Sequence, residues 1–389
     1  MNKRKVRRKI LKEIYLDNSA TTKVSEEAAK LAYEIMTENY GNPSSLHEKG
    51  LNAQLAVEKA RKQIADTLNC DENTIFFTSG GTEANNTAIL GGTDAAKRRG
   101  NKVVTTAFEH SSVIESFKEL DKRGFEVCYV SPNEKGEITA DALANAVDEN
   151  TILMSFMLVN NEIGTLIPFE EAVKAIKKKN PRTLIHCDGV QAFGKIPINL
   201  KKTDIDLLSI SSHKIHGPKG SGALYIKKGV RITPLIHGGE QQRKIRPGTE
   251  STPLICAFGL AAQTAHREIM SGESHLKELC TYFDEEVKKR EGIVINSPEN
   301  GTVYIRNISV IGYRSEIMLH ALESKGVYVS SGSACAKGEK SHVLKAMGLK
   351  NDRIDSALRV SFSKYSTIEE VKVFFEALDK CMQEIIKLK

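Results

Sequence analysis

No stretch of the chain approaches the roughly 18 consecutive apolar residues of a membrane-spanning helix, so no membrane partner is expected. The basic start, MNKRKVRRKILK, runs towards YLDNSATT without an apolar segment between them, which is unlike a secretory leader. The seven cysteines, Cys70, Cys128, Cys187, Cys256, Cys280, Cys335 and Cys381, show no metal-type spacing, and no bound metal is expected. Their odd number, with no leader, points to reduced thiols and a cytoplasmic location. There is no internal repeat and no low-complexity linker. Tryptophan is absent and aromatics are only 6% of the chain; the remainder, 40% hydrophobic and 27% charged, is ordinary globular composition.

What is present begins with length. At 389 residues the chain exceeds the usual span of one hydrophobic core, which predicts two packed lobes. The net charge of +7 is mild, and much of it sits in the first twelve residues. That arm fits either a solvated, frayed terminus or a contact for RNA or an acidic partner. SEEAAKLAYEIMTENY and LNAQLAVEKARKQIADTLN carry apolar residues at three- and four-residue spacing, the signature of amphipathic helices. TIFFTSGG, KVVTTAFEH, EVCYVSP, ILMSFMLVNN, TLIHCDGVQ, DIDLLSISSHK and GALYI read as strands that are apolar throughout. Helical SSVIESFKELDKRG and FEEAVKAIKKKN separate some of them, which predicts an α/β fold with a mainly parallel sheet. After residue 255 a long helical stretch, then TVYIRNISV, EIMLHALESKG, VYVSS and ALRVSFSKY, predict a smaller α+β lobe.

The polar residues fall at strand ends, where open α/β sheets bind ligands. TSGGTE (78–83), EHSS (109–112), NNEIG (160–164), DGVQ (188–191) and SSHK (211–214) all occupy such places. TSGGTE lacks the lysine of a P-loop; it fits either a plain glycine turn or a phosphate cup at a helix start, with Thr82 adding a hydroxyl. Asp188 fits either a helix cap or a carboxylate holding a protonated ring nitrogen. His110 fits a capping or core imidazole, or a flat ring stacked on a flat cofactor. A strand-end lysine, Lys214, beside Ser211 and His213 resolves the pattern: covalent binding of pyridoxal 5'-phosphate needs a lysine, an acid for the ring nitrogen, a stacker and a phosphate cup. Cys335 differs from the other cysteines in lying within a Ser/Gly/Ala run, VYVSSGSACAKGEKSH, the setting of an accessible, reactive thiol.

Taken in order, YLDNSATT, GNPSSLH, TSGGTEANN, EHSS, VNNEIGT, HCDGVQ, SSHKIHGPKG, RPGTE and SSGSAC resemble the cysteine desulfurases of the class V aminotransferase-like group, from about residue 14 to the end. The resemblance implies the type I fold of pyridoxal-phosphate transferases, with a large cofactor-binding domain over 15–255. Residues 1–14 and 256–389 would form the small domain that carries the catalytic cysteine loop. It implies a homodimer that converts L-cysteine to L-alanine and leaves the sulfur on an enzyme cysteine. On this resemblance Lys214 binds the cofactor covalently, His110 stacks and serves in acid–base steps, Asp188 pairs with the ring nitrogen, and Gln191 bonds the ring oxygen. Gly81, Thr82, Ser211, Ser212 and His213 hold chiefly its phosphate, and Thr249 reaches the phosphate of the neighbouring subunit. Asn161 lies near cofactor and substrate, Arg359 clamps the substrate carboxylate, and Cys335 accepts the sulfur.

The segment AKGEKS after Cys335 is shorter than the loop of housekeeping iron–sulfur-assembly members. The acceptor is therefore either an iron–sulfur scaffold or a tRNA thiolation enzyme. Two alternatives stand beside this reading. One is another reaction on the same scaffold, such as a selenocysteine lyase; an aminotransferase has no use for Cys335. The other is a basic RNA-binding or scaffold protein, which would not need Lys214, Asp188 and Cys335 together.

Overall fold

Strands that are apolar throughout are stable only with both faces covered, and the central sheet bears this out. The computed structural model describes residues 13–271, 275–331 and 340–387. In chain order the strands are β1 (Ile14–Tyr15), β2 (Ile75–Thr78), β3 (Lys102–Thr106), β4 (Glu126–Val130), β5 (Thr151–Met157), β6 (Leu184–Asp188), β7 (Leu207–Ser211), β8 (Gly222–Ile226), β9 (Ile293–Ile295), β10 (Ile305–Val310), β11 (Val327–Tyr328) and β12 (Ala357–Ser361). Seven of them form one sheet in the order β2-β8-β7-β6-β5-β3-β4. Every residue of β5, β6, β7 and β8 is buried, whereas the edge strand β4 is partly exposed. This is the expected α/β architecture.

The pairs β3–β4, β3–β5, β5–β6 and β6–β7 are parallel. Strand β8 runs antiparallel to both β7 and β2. Its reversal follows from chain length: the ten residues 212–221 joining β7 to β8 are too few for a crossover helix, so the chain returns beside itself. Because β2 opposes β8, it points the same way as β7. The carboxyl ends of β2, β3, β5, β6 and β7 therefore share one edge, and all five polar segments collect there.

Local signals set the flanking helices. Ser25 caps helix Glu26–Thr37, and the ring of His47 caps Glu48–Leu68, which starts ahead of the expected apolar run. Asn69 ends that second helix in the left-handed conformation at φ 52°. The helical stretch expected after residue 252 is two helices, Thr252–Ser271 and His275–Lys288. The first runs across residue 255 and packs along both Glu26–Thr37 and Glu48–Leu68.

A three-stranded antiparallel sheet, β12-β10-β9, holds the later part of the chain. Strand β1 pairs in parallel with β11, and Asp17 bridges to Ser361. The start of the described chain is thereby fixed against its end. None of the described helices is long and apolar enough to cross a membrane. The basic arm and Cys335 lie outside the described residues.

Candidate active site

Lys214 stands one short helical turn beyond β7, and its Nζ donates to the carbonyls of Ser19 at 2.5 Å and Ala20 at 2.8 Å. These carbonyls belong to YLDNSATT, a segment laid across the sheet edge by β1. Gln191 donates from Nε2 to the same Ser19 carbonyl at 2.8 Å. The lysine nitrogen and the glutamine amide thus converge on one acceptor, which brings β7 and β6 together at one spot.

Asp188, the last residue of β6, is only 4% exposed. A buried carboxylate needs hydrogen-bond donors, and it has them: Val190 N at 2.9 Å on Oδ1 and Asn85 Nδ2 at 2.7 Å on Oδ2. Asn85 also donates to the Ser112 hydroxyl at 2.9 Å, and that hydroxyl lies 2.8 Å from His110 Nδ1. His110 caps helix Ser111–Lys122, its Nδ1 accepting from Ser112 N at 3.1 Å. With Nδ1 engaged as an acceptor, this network assigns the proton of the neutral ring to Nε2. Burial lowers the affinity of His110 for a second proton, as do Lys214, His342 and Arg359, while Asp188 opposes them. Of the open alternatives for His110, the structure shows the cap.

The phosphate-cup expectation meets a suitable cradle. The helix opening at Gly81 follows β2, and a Cβ on Gly81 would come 2.7 Å from Val190 Cγ2 and 3.7 Å from Ser211 Cβ. Ser211 is thus beside the helix start. The hydroxyls of Ser211 and Ser212 are buried with no hydrogen-bond partner among the described residues. Such orphaned donors are costly unless a ligand meets them, and a phosphate accepts several. Thr82 is exposed at the same helix start. His213 lies with Nδ1 3.1 Å from Thr21 Oγ1, and burial, then Lys214, pushes its pKa down to about 3. It is a neutral polar contact and not a cation.

Arg359, on β12, is 2% exposed. Its Nη2 pairs with Asp17 Oδ1 at 2.8 Å, Nη1 donates to the Asn161 carbonyl at 3.1 Å, and Nε has no partner among the described residues. Asn161 Oδ1 is likewise orphaned. Arg359 therefore has spare donor capacity for a carboxylate. Thr249 is exposed and makes no hydrogen bond with these residues among those described.

The expectations from sequence omitted several contributors: Asn85, Ser112, Asp17 and Glu109. Asn85 and Ser112 sit inside quoted motifs, but only tertiary contact gives them Asp188 and His110 as neighbours. Glu109 is fully buried under the site, accepting on Oε1 from Thr106 Oγ1 at 2.5 Å and Met157 N at 2.9 Å. Burial, reinforced by Asp188, raises its pKa to about 8, so it is largely protonated at neutral pH. Five of the cysteines are poor thiolates: burial lifts Cys70 and Cys280 to about 11 and Cys256 to about 12, and it raises Cys187 and Cys381 as well.

The buried carboxylate, the lysine and the orphaned hydroxyls fit pyridoxal phosphate in type and in number. The family model for aminotransferase class-V matches residues 14–374. A cysteine desulfurase IscS of Methanosarcina thermophila is 42% identical over 377 residues, covering 96% of this chain and 93% of that protein. One from Clostridium botulinum (strain Hall) is 39% identical, covering 96% and 95%. A solved NifS-like protein superposes with a TM-score of 0.91 at 37% identity, covering 96% of this chain and all of that one. The chain, with its type I fold, belongs to the aminotransferase class-V family of pyridoxal-phosphate enzymes and, within it, to the cysteine desulfurases.

Proposed function

We propose that this protein converts L-cysteine to L-alanine, takes the sulfur onto Cys335 as a persulfide, and passes it to an acceptor protein. The atoms balance: cysteine plus the Cys335 thiol gives alanine plus the Cys335 persulfide. When bound, pyridoxal phosphate supplies an electron sink for the pair released at the substrate carbon. Lys214 anchors it and carries the proton at the α-carbon. Asp188, braced by Asn85, keeps the ring-nitrogen proton in place. Gln191 would donate to the ring oxygen, and His110 would stack on the ring and exchange protons from Nε2. Gly81, Thr82, Ser211, Ser212 and His213 receive the phosphate, joined by Thr249 of the second subunit. Arg359 and Asn161 hold the substrate by its carboxylate, so its sulfur is presented in one orientation.

The observation that carries this reading is the meeting of Lys214, Gln191, Asp188 and His110 at one sheet edge, beside buried Ser211, Ser212 and Arg359 donors that lack partners among the described residues. The poor acidity of Cys70, Cys187, Cys256, Cys280 and Cys381 supports Cys335 as acceptor. The reading includes a cytoplasmic homodimer and an acceptor that is an iron–sulfur scaffold or a tRNA thiolation enzyme. It divides the chain into a cofactor-binding lobe, 15–255, and a lobe of 1–14 and 256–389.

The experiment is to give Cys335→Ser protein L-cysteine and L-selenocysteine separately and measure alanine. Cofactor binding should survive, because the thiol takes no part in it, while alanine from cysteine should collapse. A hydroxyl is essentially un-ionised at neutral pH and a poor nucleophile towards sulfur. Undiminished turnover of cysteine would sink the proposal. Survival on selenocysteine alone would confirm that the thiol is needed for the carbon–sulfur bond.

A further inference from the structure

Lys195 is a half-buried cation that the reaction outlined above leaves without a task. It lies four residues beyond Gln191, within the turns Phe193 N to Gly189 O and Ile196 N to Ala192 O, so the two side chains meet. Its Nζ donates to Gln191 Oε1 at 3.2 Å and stands over the Tyr304 ring, 4.8 Å from the centroid. The Tyr304 hydroxyl in turn donates to the Gln191 carbonyl at 3.3 Å. Among the described residues no carboxylate pairs with Lys195. The titratable groups that reach it are Lys214 and Arg359, both cations, and the histidines His213 and His216, whose affinity for a proton burial lowers. Burial, then Lys214 and Arg359, push its pKa down to about 7.

In its protonated form, which predominates below about pH 7, Lys195 only donates. Lying against one end of the Gln191 amide, it obliges that end to be the oxygen, and the NH₂ is then turned towards Ser19 O and Lys214. Rotating the amide by half a turn would place NH₂ against the ammonium and an oxygen lone pair towards the ring oxygen. Both contacts would be repulsive.

We propose that Lys195 is a positioning residue for the cofactor: through the Gln191 amide it fixes a donor on the ring oxygen and adds positive charge behind it. The inference rests on the assignment of Lys214 and Gln191 to pyridoxal phosphate made above. Positive charge at that place stabilises the anionic ring oxygen and makes the Lys214-linked nitrogen harder to protonate. The bound cofactor should therefore titrate at a lower pH with Lys195 present than without it.

The test uses the holoenzyme without substrate, following the visible absorption of the bound cofactor against pH. Lys195→Met keeps the length and removes the charge; its midpoint should rise by about half a unit or more. Lys195→Arg keeps a donor and a charge and should hold the midpoint near that of the unaltered protein. Lys195→Gln takes the place of the methionine variant if that one does not fold. A merely structural role would alter stability and leave the midpoint where it was. A midpoint unmoved in Lys195→Met, or moved equally in Lys195→Arg, would overturn the inference while leaving the site reading intact. Lys214→Ala separates the two failures: a pH-dependent visible band that persists without Lys214 would bring down the site reading and this inference together.

Discussion

Only 2% of the Arg359 surface meets water, and Asp17 and the Asn161 carbonyl meet two of its guanidinium nitrogens. An incoming carboxylate finds Nε, which has no partner among the described residues, on a guanidinium already held in place. Planar, forked donation is what lysine lacks. Arg359→Lys should therefore raise the KM for cysteine by about ten- to a hundredfold, the loss of one to two charged hydrogen bonds, with cofactor absorption unchanged. An unaltered KM would place the substrate carboxylate elsewhere. Asp188 and Lys214 stood out in the sequence because each sits in a motif of small polar residues at a strand end, whereas Arg359, in the middle of β12, was pointed to only by the family resemblance. The sequence hid their supports, because Asp17 and Arg359 stand 342 positions apart and nothing local connects them. Lys195 was hidden for another reason: four residues after Gln191, it reads as any surface lysine until Tyr304 closes over it.

At the scale of elements, the cofactor edge depends on how closely β8 returns past the start of the glycine turn after β2. A Cβ on Gly222 would lie 2.7 Å from the Cα and carbonyl carbon of Gly80 and 2.8 Å from the carbonyl oxygen of Ile210. These are backbone atoms within or beside a sheet, so they cannot step aside as a side-chain tip can. Gly222→Ala should cost about 1–3 kcal/mol of stability, as overpacking does, and should loosen the hold on pyridoxal phosphate by displacing the Gly80–Gly81 turn. Thermal unfolding together with cofactor retention on dialysis measures both; a variant as stable as the parent would show that the two strands separate freely. The strands themselves were legible from their apolar runs. Their directions were less so, since β8 looks like any buried strand and only the short 212–221 connection reverses it.

At the scale of the whole molecule, Tyr33, Met36, Leu51 and Leu55 are more than half exposed, and all lie on helices Glu26–Thr37 and Glu48–Leu68. Tyr40 and Leu46 between those helices are exposed too. Both helices turn their inner faces to Thr252–Ser271, so this apolar surface faces outward and suits a second copy of the chain. On the proposed homodimer, the double change Leu51→Glu with Leu55→Glu should give monomers in sedimentation. Those monomers should retain cofactor poorly, lacking the partner's Thr249. A parent chain that sediments as a monomer would defeat the dimer reading. By itself the sequence determined the layered α/β class and gathered its polar residues at strand ends, because apolar runs and small polar strand ends are local patterns. Tertiary structure decided which of those ends face one another, which donors are left orphaned for a phosphate and a carboxylate, and which cations lose their water. Those outcomes depend on distances between segments hundreds of residues apart, and no local pattern encodes them.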